Sequence, residues 1–302
     1  MHQTVRNAVS PDGAMFSTKQ VVRALVLSTV TASTAAAQGP MELVVNIPAG
    51  RLDVMQGGER VRSFPVSVGT AMHATPTHEG TIRRVVWNPT WTPPPDAEWA
   101  RNEKPKGPGW GNPMGRVKLH LFSDIYVHGT PAGNERRLGN PASHGCIRMA
   151  NRDVLQLAQM VMEADGGASV SPATVQTLIR NPGATREVSL AGRVRVRVIY
   201  RLTEVDGDSV TLHPDVYGRA RNDYAQRVRL ELEAAGADAA PVMARIASVT
   251  RSPATALRIP RGEFVYPERD APVTTVNVGT TVSAAPAPTS AGVGSGMVAL
   301  QR

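Results

Sequence analysis

Short apolar runs, each bounded by glycine, proline or charged residues, follow one another from residue 41 to residue 213. Runs of this length between turn residues read as β-strands. Met41–Ile47 and Arg51–Met55 are the first two. Gln56-Gly57-Gly58-Glu59 turns the chain, and Arg60–Val68 completes an antiparallel meander. Thr81–Trp87 reads as one further strand, and Arg116–Leu121 and Ile125–His128 as two more, followed by a polar loop over 129–142. Arg193–Tyr200 alternates strictly, as a strand with one wet face does. Asp206-Gly207 is a hairpin signal ahead of Ser209–His213.

Helical spacing is rarer. Val154, Leu157, Ala158 and Val161 fall on one face of a helix over Arg152–Glu163, with Asn151 suited to its N-cap and Asp165-Gly166-Gly167 to its end. A shorter helix is expected at Pro172–Arg180, and Ala220–Val249 has a helical composition. Segment 88–115 fits neither period: seven prolines and three tryptophans exclude a regular helix or a central strand. It reads equally as a lid over a site and as a surface loop pinned by its aromatics.

Composition sets the frame. The 302 residues, 41% hydrophobic, suffice for a full core. There is no run of 18 apolar residues, so no transmembrane segment is expected in the mature protein. Residues 1–37 read as a signal peptide: Lys19 and Arg23 are the basic region, Ala24–Val30 the apolar core, and Ala35-Ala36-Ala37 before Gln38 the cleavage site. Met15 is an alternative start. An extracytoplasmic, periplasmic location follows. From Thr274 the chain is rich in Ala, Pro, Thr, Ser and Gly, and a disordered tail is expected over 274–302.

The formal charge is +8, of which Arg6, Lys19 and Arg23 against Asp12 place +2 before residue 38 and leave +6 after it. A basic surface suits nucleic acid, a membrane face or an anionic wall polymer, or simply serves solubility. No zinc-finger spacing or RNA-binding signature favours nucleic acid.

The chain has one cysteine and therefore no internal disulfide. Cys146 stands in "SHGCIRM", eighteen residues after His128 across a loop with Gly and Pro. A histidine brought to a thiol can take its proton, and the thiolate attacks a carbonyl. Gly145 permits unusual dihedrals, and backbone amides near Gly145 and Cys146 can hold an oxyanion. Arg148 adds positive charge that lowers a thiol pKa or grips a carboxylate. Other readings stay open. His128 can be a satisfied core histidine, and His144 can hold the turn by bonding a backbone group, the preferred reading for His144. His120, His128, His144 and Cys146 can also be metal ligands, although their spacing is not a standard one.

At these residues the sequence resembles the L,D-transpeptidases with a YkuD-type catalytic domain, in their periplasmic branch. The signature is His128-Gly129, then Ser143-His144-Gly145-Cys146-Ile147-Arg148. "LVVNIPAGRLDVMQGGERVRSFPVSVGT", "TPTHEGTI", "NPTWTPP", "GPGWGNPMG", "IYVHGT" and "LHPDVYGR" extend the likeness over residues 41–219. The resemblance implies a mainly β fold: a curved β-sandwich or barrel-like domain over 41–200 with one helix after the cysteine. Beyond the resemblance, a C-terminal α/β extension is expected over 201–273. It implies peptidoglycan stem peptides as substrate, with a second stem or a wall-anchored lipoprotein as acceptor, and no metal or organic cofactor. It makes Cys146 the nucleophile and His128 the base, oriented by the Gly129 carbonyl. Ser143, His144, Gly145 and Arg148 support the site. Tyr126 and Trp110 are weaker candidates for substrate contact. The rivals are a thiol hydrolase of another bond, a metal-binding module, and a non-catalytic peptidoglycan-binding wall protein.

Overall fold

The computed structural model describes residues 39–166, 170–207, 209–246 and 255–260. The expected signal segment and Ala/Pro-rich tail lie outside those residues. The opening meander is β1 (Met41–Asn46), β2 (Arg51–Gln56) and β3 (Glu59–Pro65). Next come β4 (His78–Thr81), β5 (Arg84–Trp87), β6 (Val117–Phe122), β7 (Ile125–Thr130) and β8 (Ile147–Ala150). Helices α1 (Asn151–Ala164) and α2 (Pro172–Arg180) precede β9 (Arg186–Ser189) and β10 (Arg195–Ile199). The extension holds β11 (Thr203–Asp206), β12 (Ser209–Leu212), α3 (Tyr224–Ala234), α4 (Ala240–Ile246) and β13 (Leu257–Pro260).

Two five-stranded sheets make the main body, ordered β3-β2-β1-β10-β4 and β8-β7-β6-β5-β9; the extension adds β11-β12-β13. The architecture is sandwich-like and mainly β, with no closed barrel among the described residues. Leu43, Val45, Leu52 and Phe64 of the first sheet join Val85, Trp87, Leu119, Val127 and Ile147 of the second in one apolar cluster, together with the Val154, Leu157, Ala158 and Val161 face of α1. Burial of that continuous apolar area is the main favourable term for folding. The period-2 pattern shows directly in β6, where Val117, Leu119 and Leu121 are buried and Lys118, His120 and Phe122 only partly so.

Three expectations are corrected. Thr81–Trp87 is not one strand: Thr81 pairs with Arg195 in the first sheet, whereas Arg84 pairs with Ser189 in the second. The buried Ile82 marks the crossing, and an apolar run carries no record of a change of partner. Asn151 does not cap α1 but is its first residue, with Ala150 in the cap position. Its buried side chain instead accepts from the Arg116 amide (2.8 Å) and donates to the Thr130 carbonyl (3.0 Å), tying β6 to β7. The loop over 129–142 is also shorter than read, because β7 runs to Thr130 and a 3-10 helix fills 132–137.

Segment 88–115 is ordered. Asn88, at φ 48, closes its base through Asn88 N to the Arg116 carbonyl (2.7 Å); Asn is one of the few residues that tolerates this region. Trp91 is buried and exchanges two backbone hydrogen bonds with Lys106. The Asn112 amide reaches the carbonyls of Pro89, Lys106 and Gly107 at 2.8–3.0 Å. Arg116, fully buried, donates to the Leu178 and Ile179 carbonyls at the C-terminal end of α2, where the helix dipole is negative.

Candidate active site

β7 and β8 run parallel, with Val127 opposite Ile147, His128 opposite Arg148 and Gly129 opposite Met149. In parallel strands paired residues share a face, and positions two apart share it too. His128 and Arg148 therefore stand on one face, with Lys118 of β6 beside His128. Val127, Ile147 and Met149 take the other face, in the core. Cys146 lies just ahead of β8. Its thiol is 3.5 Å from the Asp124 carbonyl at the β6–β7 turn, and the Tyr126 backbone favours its thiolate form. The sheet thus brings the nucleophile candidate to the start of β7 and the histidine two residues further along.

Gly129 follows His128 because nothing larger fits. A Cβ there would run into Asn151 Oδ1 and lie 3.1 Å from the Gly115 Cα. Its carbonyl accepts from His128 Nδ1 at 2.6 Å. A carbonyl only accepts, so Nδ1 carries the proton of the neutral ring and Nε2 keeps its lone pair. Burial, opposed by that hydrogen bond and reinforced by Arg148 and Lys118, lowers the His128 pKa to about 4.

The loop before Cys146 is held by Ser143 and Thr75. The buried Ser143 hydroxyl donates to the Cys146 carbonyl (2.5 Å) and accepts from the Gly145 amide (3.1 Å). Gly145 has φ 111, a conformation open to glycine. Its amide is committed to the Ser143 hydroxyl. Thr75 Oγ1 donates to the Gly145 carbonyl (2.7 Å) and accepts from the Gly69 amide (2.8 Å). Tyr217 OH in turn donates to the Gly69 carbonyl (2.9 Å) and accepts from the Thr75 amide (3.0 Å). Sequence reasoning missed both residues as supports. They lie in quoted segments, "TPTHEGTI" and "LHPDVYGR", but their meeting across 142 positions leaves no local signal.

Two expectations about electrostatics change. Arg148 does pull the Cys146 thiol down, but burial pushes it up by more, so the thiol titrates above its ordinary value. The Arg148 guanidinium donates to the Ala142 carbonyl at 3.0 Å. His144 makes no backbone hydrogen bond among the described residues. Its exposed ring stacks on Trp99 (centroids 4.1 Å, planes 10° apart) and touches His73 (4.8 Å). Burial and the charges of His73 and Arg148 lower its pKa. Ser143, not His144, secures the turn.

Trp99, missed as a single residue, brings the Trp/Pro segment onto the site while staying 43% exposed. Trp110 is 58% exposed and packs over the Arg116 guanidinium at 4.6 Å. Tyr126 is half-buried between Lys118 and His120. Among the described residues no three of His, Cys, Asp and Glu gather as metal ligands. His120 Nε2 instead lies 2.7 Å from the Ser123 carbonyl.

Residues 40–188 match the family model of the YkuD domain, the L,D-transpeptidase catalytic domain. A YkuD protein of Bacillus subtilis (strain 168), named as an L,D-transpeptidase, is 31% identical over 123 residues, covering 40% of this chain and 61% of that one. The "Probable L,D-transpeptidase YcfS" of Escherichia coli (strain K12) is 28% identical over 228 residues, covering 70% of this chain and 67% of that one. A solved L,D-transpeptidase from Mycobacterium smegmatis aligns at TM-score 0.34 and 16% identity, over 53% of this chain and 58% of that one. The chain spans 55–61% of the length of three of the curated relatives it matches.

Proposed function

We propose that this chain, which belongs to the L,D-transpeptidase family through its YkuD-type domain, is a peptidoglycan L,D-transpeptidase that works outside the cytoplasm with Cys146 as nucleophile. The observation that carries the reading is the His128 Nδ1 hydrogen bond to the Gly129 carbonyl, which leaves Nε2 able to accept a proton on the face that Cys146 adjoins.

In this reading the thiol proton passes to His128 Nε2 as the sulfur attacks the carbonyl between diaminopimelate and D-alanine. Burial keeps the thiol protonated and the imidazole neutral at neutral pH, so the proton moves during attack rather than before it. The tetrahedral oxyanion is held by the His144 and Cys146 amides, which need not reorganise because Ser143 and Thr75 fix the loop. The C–N bond breaks, His128 returns the proton to the leaving D-alanine amine, and a thioester remains. An acceptor amine attacks next, gives its proton to His128, and displaces the sulfur, which regains the proton. A diaminopimelate amine gives a 3→3 crosslink and a lysine anchors a protein. The Gly129 carbonyl takes the orienting place that a carboxylate has in a Ser-His-Asp triad. Substrate contact by Tyr126 and Trp110 belongs to the same proposal.

The test is to incubate the protein with a diaminopimelate-containing disaccharide-tetrapeptide and weigh the products. The expected product is a dimer lacking one D-alanine, with a thioester on Cys146 on the way, both absent in Cys146→Ala. Release of D-alanine without a dimer makes water or another amine the acceptor. Unchanged turnover by Cys146→Ala removes the nucleophile assignment.

A further inference from the structure

Beside the loop that carries Cys146 lies a cavity of about 490 Å³, lined by Thr70, Asn140, Ser143 and His144 and by two arginines, Arg136 and Arg137. Both arginines end the 3-10 helix over 132–137. The backbone there is tied down: the Arg137 carbonyl accepts from Ser67 Oγ (2.6 Å) and the Gly139 amide donates to Val66 (3.0 Å). The guanidiniums therefore start from a fixed base.

Both side chains are exposed, and among the described residues neither meets a carboxylate. Glu135, the one acid on the helix, pairs with neither. Arg137 also lies near enough to Arg148 for the two charges to oppose each other. Arg136 and Arg137 thus line one wall with no carboxylate partner among the described residues, and Arg137 adds to the positive field of Arg148 on β8. Guanidinium is the group best shaped to take a carboxylate by two parallel hydrogen bonds. A surface set only for solubility would not need its positive charge concentrated on a concave wall that ends at Ser143 and His144.

Resting on the proposed function, we propose that Arg136 and Arg137 form a carboxylate-binding subsite for the stem peptide. A tetrapeptide stem offers three such groups: the D-alanine terminus, the second diaminopimelate carboxylate, and the free carboxylate of the γ-linked glutamate. The cavity reads one of them and sets the stem beside Cys146.

The test uses the full-length chain with Cys146→Ala, so that binding is measured without turnover, and the disaccharide-tetrapeptide as probe. Titration calorimetry of Cys146→Ala against Cys146→Ala carrying Arg136→Ala and Arg137→Ala is expected to show about tenfold weaker binding in the latter. Binding by the arginine-containing protein also weakens with salt more steeply. Three stems, each amidated at a different carboxylate, identify the group: its amide weakens binding to the arginine-containing protein and leaves the double-alanine protein unaffected. Equal dissociation constants for the two proteins, or no stem binding at all, overturn the subsite. Thermal unfolding of both proteins shows that the comparison is between folded chains. Failure of the proposed function is read separately, as absence of D-alanine release by the chain that retains Cys146.

Discussion

His128 is the residue whose environment most constrains the chemistry. Only the neutral ring can take a proton, and burial holds its pKa at about 4 instead of 6.5. The acid limb of kcat/KM is therefore expected near pH 4, with full activity retained at pH 5.5, where an exposed histidine would be mostly charged. A pH–rate profile checks this, with circular dichroism at each pH to show the chain folded; a limb near 6.5 contradicts it. His128→Ala should lower kcat/KM by about 10²–10⁴, the usual worth of a positioned base.

At the scale of elements, the contact between the Trp/Pro segment and the catalytic loop is the joint to break. The segment's own hydrogen bonds close its base at Asn88 and Arg116 and its middle at Trp91 and Lys106. Trp99 is not part of that frame. It is spent on the His144 ring, and such ring pairs are worth about 0.5–1.5 kcal/mol beyond area burial. Trp99→Ala is expected to shift the melting temperature little while raising KM about three- to tenfold, and Trp99→Phe should restore most of the loss. A large drop in melting temperature with unchanged KM would make Trp99 a structural pin instead.

Across the whole molecule, the C-terminal extension is coupled to the site and to the first sheet by separate contacts. Tyr217 reaches the loop at Gly69 and Thr75, which holds Gly145. Tyr217→Phe removes two hydrogen bonds of about 1 kcal/mol each and should lower kcat more than KM, because it loosens the loop that carries Gly145 and Cys146. Glu204 of β11 meets Arg51 of β2 at 2.6 Å and His213 at 3.6 Å. Burial would raise its pKa, but His213 and Arg51 together hold it near 2, against 4.5 for a free carboxylate. The unfolded chain takes up that proton first as pH falls. The stability Glu204 supplies is thus complete above pH 4.5 and lost as pH drops to about 2, on the order of 2–3 kcal/mol. Denaturant unfolding of Glu204→Gln across this range should show a flatter pH dependence than the unaltered chain; identical slopes would place the linkage elsewhere.

Much of this was legible along the chain, because it depends on neighbours in sequence. Short apolar runs between turn residues located β1, β2, β6 and β7, strict alternation located β10, and the spacing of Val154, Leu157, Ala158 and Val161 located α1, since each pattern reports which residues are buried. The "SHGCIRM" stretch together with His128-Gly129 pointed to the same residues that the β7–β8 register collects. What the tertiary structure decided was pairing and burial. It broke Thr81–Trp87 between two sheets and turned Asn151 from a cap into a clamp. It gave Ser143 the turn expected of His144, brought Thr75 and Tyr217 to the same loop, and let burial outweigh Arg148 at the thiol. None of these follows from local pattern, because a hydrogen-bond partner or a desolvation cost is set by whatever the fold brings close, however distant in sequence.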